Sequence, residues 1–347
     1  MSERQVFDHI ADAVKLPDLV RIDGNVVVAR FETMKVYSAM AAVEHLLATG
    51  RVKPGDTLMD SSSGTYAYSL ALACHKYGMK CRVVCSTKVD PSVRIQLELL
   101  GVEVDQVPIP PGPMVDKMDL EVRLRRIDEI LATRDDVFWM QQYHADYHYL
   151  GYREAAEMIH RQLGPAPVTL VGGVGSGAST GALTTYLREL RPDTELVGIQ
   201  PFESVTFGSE PVEDPVASIS GIGSPVYFGN VRYALYDRIH WIAHQQAVSA
   251  TIELYRRHAV FGGMSSGCAY LAAEWEARRA PGRQIVFIAA DTGHRYLETV
   301  YRHHAEAVPV RGLEPKVIGS LEELALPWSV MDWNRSPYEV ARRELPC

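Results

Sequence analysis

Apolar runs alternate with amphipathic stretches along most of the chain. VVVARF (26–31) reads as a strand, and a helical pattern follows over 37–50. DTLMDS (56–61) is a second strand that leads into SSGTY, with a helix continuing over 66–78. CRVVCS (81–86) is another strand. Residues 92–101, with Arg94, Gln96 and Glu98 among apolar positions, read as a helix, and VEVDQV follows as a strand. Repeated strand–helix–strand units predict parallel pairing, because only a crossover can bring two parallel strands side by side.

A Pro-rich loop, PIPPGPM (108–114), interrupts the rhythm, and a charged helix is predicted over 120–133. A second series then begins: strand VFWMQQ, helix 152–163, strand VTLVGG, helix 180–190 and strand ELVGIQP. IHWIAH, a helix over 246–257, a helix after GGMSSG and the strand QIVFIAA complete it. From residue 312 onward the rhythm is lost, and the tail carries no functional reading. The pattern contains no internal repeat and no low-complexity segment.

The chain has 347 residues, long enough for about two domains with sizeable cores. The formal net charge of -8 gives no footprint for nucleic acid or anionic lipid. No apolar run is long enough for a bilayer span, and MSERQVFDHIADAV lacks a signal-peptide core, so a cytoplasmic protein is expected. The five cysteines form no CxxC pair and read as reduced thiols. His144/His148 and His303/His304 lack further ligands at zinc spacing, so no metal is expected.

The strongest local signal is GGVGSGASTG (172–181), at a strand-to-helix junction. Small residues there let backbone N–H groups approach an anion, and the helix N-terminus favours negative charge. Gly173, Gly175 and Ala178 also fit G-x-G-x-x-G/A, a dinucleotide fingerprint. That fingerprint wants an acid at the end of the next strand, where this chain has Gln200. SSSGT (61–65) offers hydroxyls and N–H groups to a small anion, and fits a helix cap equally well. GGMSSG (262–267), DTGHRY (291–296) and Lys35 say little singly; their order says more.

In that order the pieces resemble the fold-type II pyridoxal 5′-phosphate (PLP) enzymes, in particular the cysteine synthase and cystathionine β-synthase family. ARFETMK matches the early strand with its hydroxyl, spacer and Schiff-base lysine: Thr33, Met34, Lys35. Ser62, Ser63, Gly64, Thr65, Tyr66 and Ala67 match the T-S-G-N-T-G substrate loop. TKVDPSVRIQLELLGVEV matches a strand–helix–strand segment, and MQQYHADYHYLGY brings a substrate-facing glutamine onto Gln142. GGVGSGASTG matches the phosphate loop, GIG at Gly221 a mobile glycine turn, and GGMSSG the G-I-S-S-G turn. DTGHRY matches D-S-G-x-R-Y, whose hydroxyl meets the cofactor's pyridine nitrogen and falls on Thr292. Two departures sit at the cofactor's face: Thr65 stands for the family's asparagine, and the N-P-x-G-S lead-in is shortened to FET.

The resemblance implies an α/β fold of two three-layer αβα domains with largely parallel sheets, like the tryptophan synthase β-subunit. The larger, PLP-binding domain would comprise residues 1–34 plus 138–311, the smaller 35–137, with a tail at 312–347. It implies Lys35 as the catalytic residue. Thr65, Gly172, Gly173, Val174, Gly175, Ser176, Gly177 and Thr292 would bind the cofactor, and Ser62, Ser63, Gly64, Thr65, Gln142 and Gly221 the substrate. The implied reaction is β-replacement on an activated serine-type amino acid through an aminoacrylate, giving cysteine or a cysteine-like amino acid. The implied partners are a small amino acid and a small nucleophile, with neither nucleic acid nor membrane, in a homodimer. The alternatives are a PLP-dependent dehydratase or deaminase, a nicotinamide-dependent oxidoreductase using Gly173 to Ala178, and a catalytically silent binding relative.

Overall fold

The computed structural model describes residues 6–14, 16–86, 89, 91–108, 115–214, 219 and 221–338. The chain divides into two compact units, one of residues 1–17 and 32–152, the other of 18–31 and 153–347. The first unit thus reaches further at both ends than the 35–137 segment inferred from the sequence. It also takes up residues 1–17, because the stretch around Ala11 packs against Val36 and Leu72.

The first unit is built on a four-stranded, fully parallel sheet in the order β5-β4-β3-β6. Its strands are β3 (Thr57–Ser61), β4 (Lys80–Ser86), β5 (Glu103–Val107) and β6 (Val137–Trp139). Helix α1 (Lys35–Ala48) and helix α2 (Thr65–Tyr77) bury Ala39, Val43, Leu46, Leu70 and Ala73 against one face, where Leu58, Val83 and Cys85 point. Alternation along the strands sends Met59 and Val84 to the other face, under Ile127 and Ile130 of α4 (Val115–Leu131). Both faces are covered, which is why these strands read as continuous apolar runs. Helix α3 (Pro91–Leu99) leads into β5. Of the Pro-rich loop, residues 109–114 lie outside the described residues.

The second unit holds an eight-stranded sheet in the order β1-β2-β10-β7-β8-β9-β12-β11. Its parallel centre is β2 (Val26–Arg30), β10 (Gln284–Ala289), β7 (Val168–Gly173), β8 (Glu195–Gln200) and β9 (Arg238–Ile242). Helices α7 (His244–His258) and α8 (Met264–Arg279) pack on the face carrying Val28, Val171, Val197 and Phe287. Helix α5 (Arg153–Leu163) pairs with α6 (Ala178–Leu190), which lies on β7 and β8. This is the two-domain αβα architecture expected from the sequence.

The sheet's edges are what the pattern did not show. β1 (Asp18–Asp23) forms an antiparallel ribbon with β2. β12 (Trp328–Asp332), with β11 (Lys316–Val317) beside it, adds antiparallel to β9. The tail is therefore part of the core, with Trp328 only 1% exposed. A buried network holds it: Trp328 Nε1 donates to His240 Nδ1 (3.0 Å), leaving His240 Nε2–H to face Glu276 (3.1 Å). Arg238 donates to both oxygens of Glu276 (2.8 Å each), and these partners hold its carboxyl down at about 2 against the cost of burial. No helix among the described residues is long and apolar enough to cross a membrane.

Candidate active site

In the first unit the predicted residues gather at the C-terminal ends of the parallel strands, where crossover helices begin. Lys35 is the first residue of α1, and no side chain caps that helix. Burial pushes its amine down to about 8, against an opposing pull from Asp60. Thr33, two residues earlier, has a buried hydroxyl without a hydrogen-bond partner among the described residues.

The SSSGT stretch joins β3 to α2. Ser62 Oγ accepts from the N–H groups of Gly64 (3.3 Å) and Ala67 (3.1 Å), so this hydroxyl caps the helix as well as facing the loop. Ser63 Oγ accepts from Ser86 N at 3.4 Å, Gly64 is the N-cap residue and half-buried Thr65 opens α2. Gln142 sits beside them: its Nε2 donates to the Ser61 carbonyl (2.7 Å) and its backbone N–H to Asp60 Oδ2 (3.0 Å). The preceding Gln141 has φ of 48°, a left-handed conformation that costs a side-chain-bearing residue about 1–2 kcal/mol and turns the chain into the site.

Three ionisable groups here were not assigned to the site from the sequence. Asp60, 1% exposed, also accepts from Ser61 N (2.7 Å) and Trp139 Nε1 (3.1 Å). Burial nevertheless pushes its carboxyl up to about 7. Arg123 of α4 donates to Ser61 Oγ (2.9 Å) and pairs with Asp119 (2.8 Å). His148 is fully buried between Ser38 Oγ (3.0 Å) and the Met140 carbonyl (2.8 Å), and burial lowers it to about 4. It is a neutral core histidine with both nitrogens used. The available signal was Asp60 itself, an acid closing an apolar strand immediately before a serine-rich turn.

In the second unit the predicted pieces come together around the N-terminus of α6. Its N-cap, Gly177, has φ of 82° and no capping side chain, and a Cβ there would lie 2.6 Å from the Asn230 carbonyl oxygen. A Cβ on Gly175 would lie 2.5 Å from the Gly221 carbonyl oxygen, and one on Gly173 would run into Ile222 and approach Ser265 (3.6 Å). Gly172 is as tightly enclosed by Ile288 and Thr180. The Val174 carbonyl accepts from Gly223 N (2.9 Å) and Gln200 Nε2 (2.6 Å). Ser176 is buried. The 172–177 loop, the Gly221 turn and the 262–267 turn are thus one packed assembly of backbone. Ser266, at the start of α8, has a fully buried hydroxyl without a partner among the described residues. Thr292 bridges to Gly262 and stays half-buried. Asp291 beside it accepts from Tyr296 OH (2.9 Å) and faces Arg295 at 3.9 Å.

A cradle of close-packed backbone at an uncapped helix N-terminus suits a phosphate, and the orphaned Ser266 hydroxyl in the same unit can serve a polar ligand. The family described as "Pyridoxal-phosphate dependent enzyme" matches residues 29–291. The chain belongs to that family.

Curated relatives of this PLP-dependent enzyme include an N-(2-amino-2-carboxyethyl)-L-glutamate synthase from Cupriavidus metallidurans. It is 30% identical over 279 residues, covering 78% of this chain and 79% of the relative. A cysteine synthase from Helicobacter pylori is 26% identical over 257 residues, covering 74% and 81%. The fold matches that of an O-acetylserine dependent cystathionine beta-synthase from Helicobacter pylori, at a TM-score of 0.76 and 23% identity, over 86% of this chain and 99% of that one. The nicotinamide alternative is thereby overturned. Where a dinucleotide site would need an acid, the Gln200 amide braces the glycine loop.

Proposed function

We propose that the chain catalyses β-replacement on an activated serine-type amino acid, giving cysteine or a cysteine-like amino acid. PLP supplies an electron sink for the bond-breaking at the substrate's α- and β-carbons. Lys35 would hold the cofactor's aldehyde and, once released, carry the α-proton, a task suited to an amine that burial brings near neutrality. The 172–177 loop would hold the phosphate. Ser62, Ser63, Gly64 and Thr65 at the start of α2, with Gln142 and Gly221, would orient the substrate carboxylate. We also take the enzyme to be a cytoplasmic homodimer, by resemblance to the family.

The observation that carries the choice of reaction is the contrast between Asp291 and Thr292. Asp291 turns Oδ2 to Tyr296 and Arg295 and buries Oδ1 against Gly263, whereas Thr292 presents a neutral hydroxyl. A neutral partner does not hold a pyridine nitrogen protonated, which limits carbanion delocalisation and favours loss of a β-substituent over transamination. The names of the curated relatives, a cysteine synthase and a synthase of glutamate bearing a 2-amino-2-carboxyethyl group, agree with this.

A product screen tests the reading. O-acetylserine and O-phosphoserine are offered with sulfide and with amino-acid amines, and a new β-substituted amino acid is expected. Release of keto acid and ammonia alone, whatever the nucleophile, would replace β-replacement by elimination.

A further inference from the structure

His294 lies next to the hydroxyl assigned to the cofactor. Its Nδ1 is 3.1 Å from Thr292 Oγ1. The imidazole is exposed, but it is not loosely placed. Phe261 meets it edge to face, with ring centroids 5.1 Å apart and planes at 89°. Phe261 is itself packed by Tyr301 (4.6 Å) and Tyr255 (5.3 Å). Between Thr292 and His294, Gly293 donates its N–H to the Phe261 carbonyl (3.1 Å), and a Cβ there would meet the Phe261 ring at 2.6 Å. The turn is built so that the imidazole and the hydroxyl keep their distance.

A hydroxyl has one proton to give. If Nδ1 carries the hydrogen, it donates to Thr292 Oγ1, and the threonine proton is free for an acceptor elsewhere. If Nδ1 is bare, Thr292 donates to the imidazole and has nothing left for a pyridine nitrogen. We propose that His294 is a positioning residue whose Nδ1–H fixes the direction of the Thr292 hydroxyl, so that its proton is presented to the cofactor's ring nitrogen. This rests on the assignment of Thr292 to that nitrogen. His294 touches neither cofactor nor substrate and acts only through the threonine.

The test compares release of PLP with release of its 1-deaza analogue, in which the ring nitrogen is a C–H. It uses full-length wild-type protein, His294→Phe, Thr292→Ala and the double variant. His294→Phe is expected to retain PLP about fivefold less well, the worth of one net hydrogen bond, and to retain the deaza analogue as wild type does. Thr292→Ala should abolish the preference for PLP over the analogue, and adding His294→Phe should then change nothing. His294→Lys, which can only donate, should hold PLP like wild type. Equal weakening of both cofactors in His294→Phe would show a merely structural role and overturn the proposal. Unchanged or tighter PLP retention would show that the hydroxyl's proton points at the imidazole, and would overturn it too. If wild type itself showed no preference for PLP over the analogue, the Thr292 assignment would fall, taking the proposal with it. If no borohydride-sensitive visible band formed at all, the cofactor reading would be what had failed.

Discussion

The two units handle charge in opposite ways. The first collects ionisable side chains from α1, β3 and α4: Lys35, Asp60, Arg123 and Asp119, with burial moving Lys35 to about 8 and Asp60 to about 7. The second offers backbone and neutral hydroxyls around Gly172, Gly175, Gly177, Ser266 and Thr292. Its buried ion cluster, Arg238 with Glu276, belongs to the far end of α8, roughly 15 Å along the helix from Ser266 by helical rise. Under the proposed function, the contrast is a division of labour. A group that must take up and release a proton needs a pKa near the working pH, which burial and one opposing charge can set. A group that must hold an anion needs fixed dipoles and close approach, which glycine backbone supplies.

Lys35→Ala tests the proton-handling half most severely. Activity should fall by about 10³-fold or more, the scale of a lost general base. Borohydride reduction of wild type followed by peptide mapping should place the label on Lys35. Label on Lys53 would break the comparison at its centre.

Glu276→Gln asks whether the second unit's buried charges are structural. It leaves Arg238 with only part of its counter-charge and should cost about 3 kcal/mol, seen as a lower Tm, with the cofactor spectrum unchanged. Because Glu276 is held below its exposed value, its contribution is complete above about pH 4.5 and is lost as pH falls toward about 2. A spectral change in the variant would join this cluster to the site.

Gly177→Ala attacks the holding half. A left-handed conformation costs an alanine about 1–2 kcal/mol, and the Asn230 carbonyl leaves no room for the methyl. Cofactor retention should drop about tenfold, measured by dialysis, with the labelling site still Lys35.

Asp60→Asn has the smallest effect expected. Asp60 raises the Lys35 amine, so removing its charge lowers that amine further and leaves more of it neutral. Reaction of Lys35 with pyridoxal in the apo-protein should be about threefold faster at pH 7, with its pH profile moved to lower pH. Asp60 itself titrates above its exposed value, so its ionisation opposes folding. The stability it contributes is present below about pH 4 and is lost as pH rises through about 7. A profile that did not move would mean that Asp60 and Lys35 are not electrically coupled.

Most of the regular elements were legible because the first sheet and the centre of the second are parallel and covered on two faces, so their strands appear as uninterrupted apolar runs such as VTLVGG and QIVFIAA. Boundaries slipped where capping decides them: α1 begins at Lys35 rather than at residue 37, and α6 at Ala178 rather than at 180. The edges were invisible for a different reason. β1, DLVRID, is largely exposed and mixed in polarity, and β12, WSVMD, lies in a stretch without strand–helix rhythm; each becomes a strand only because an unpaired neighbour, β2 or β9, offers it a ladder.

The sequence alone determined the succession of strands and helices in the parallel core and the glycine and serine turns that open its helices, because local patterning and backbone freedom are properties of neighbouring residues; Lys35, the first residue of α1, stood out only through the family resemblance. Only the tertiary structure decided which acids matter. Asp60 and Asp291 are both aspartates at strand ends, yet Asp60 is buried against Trp139 and Gln142 beside Lys35, while Asp291 accepts from Tyr296 through Oδ2. The polarity of a site depends on which donors and acceptors packing brings within 3 Å, and those partners, 79 and 82 residues away from Asp60 along the chain, leave no periodic trace in the sequence.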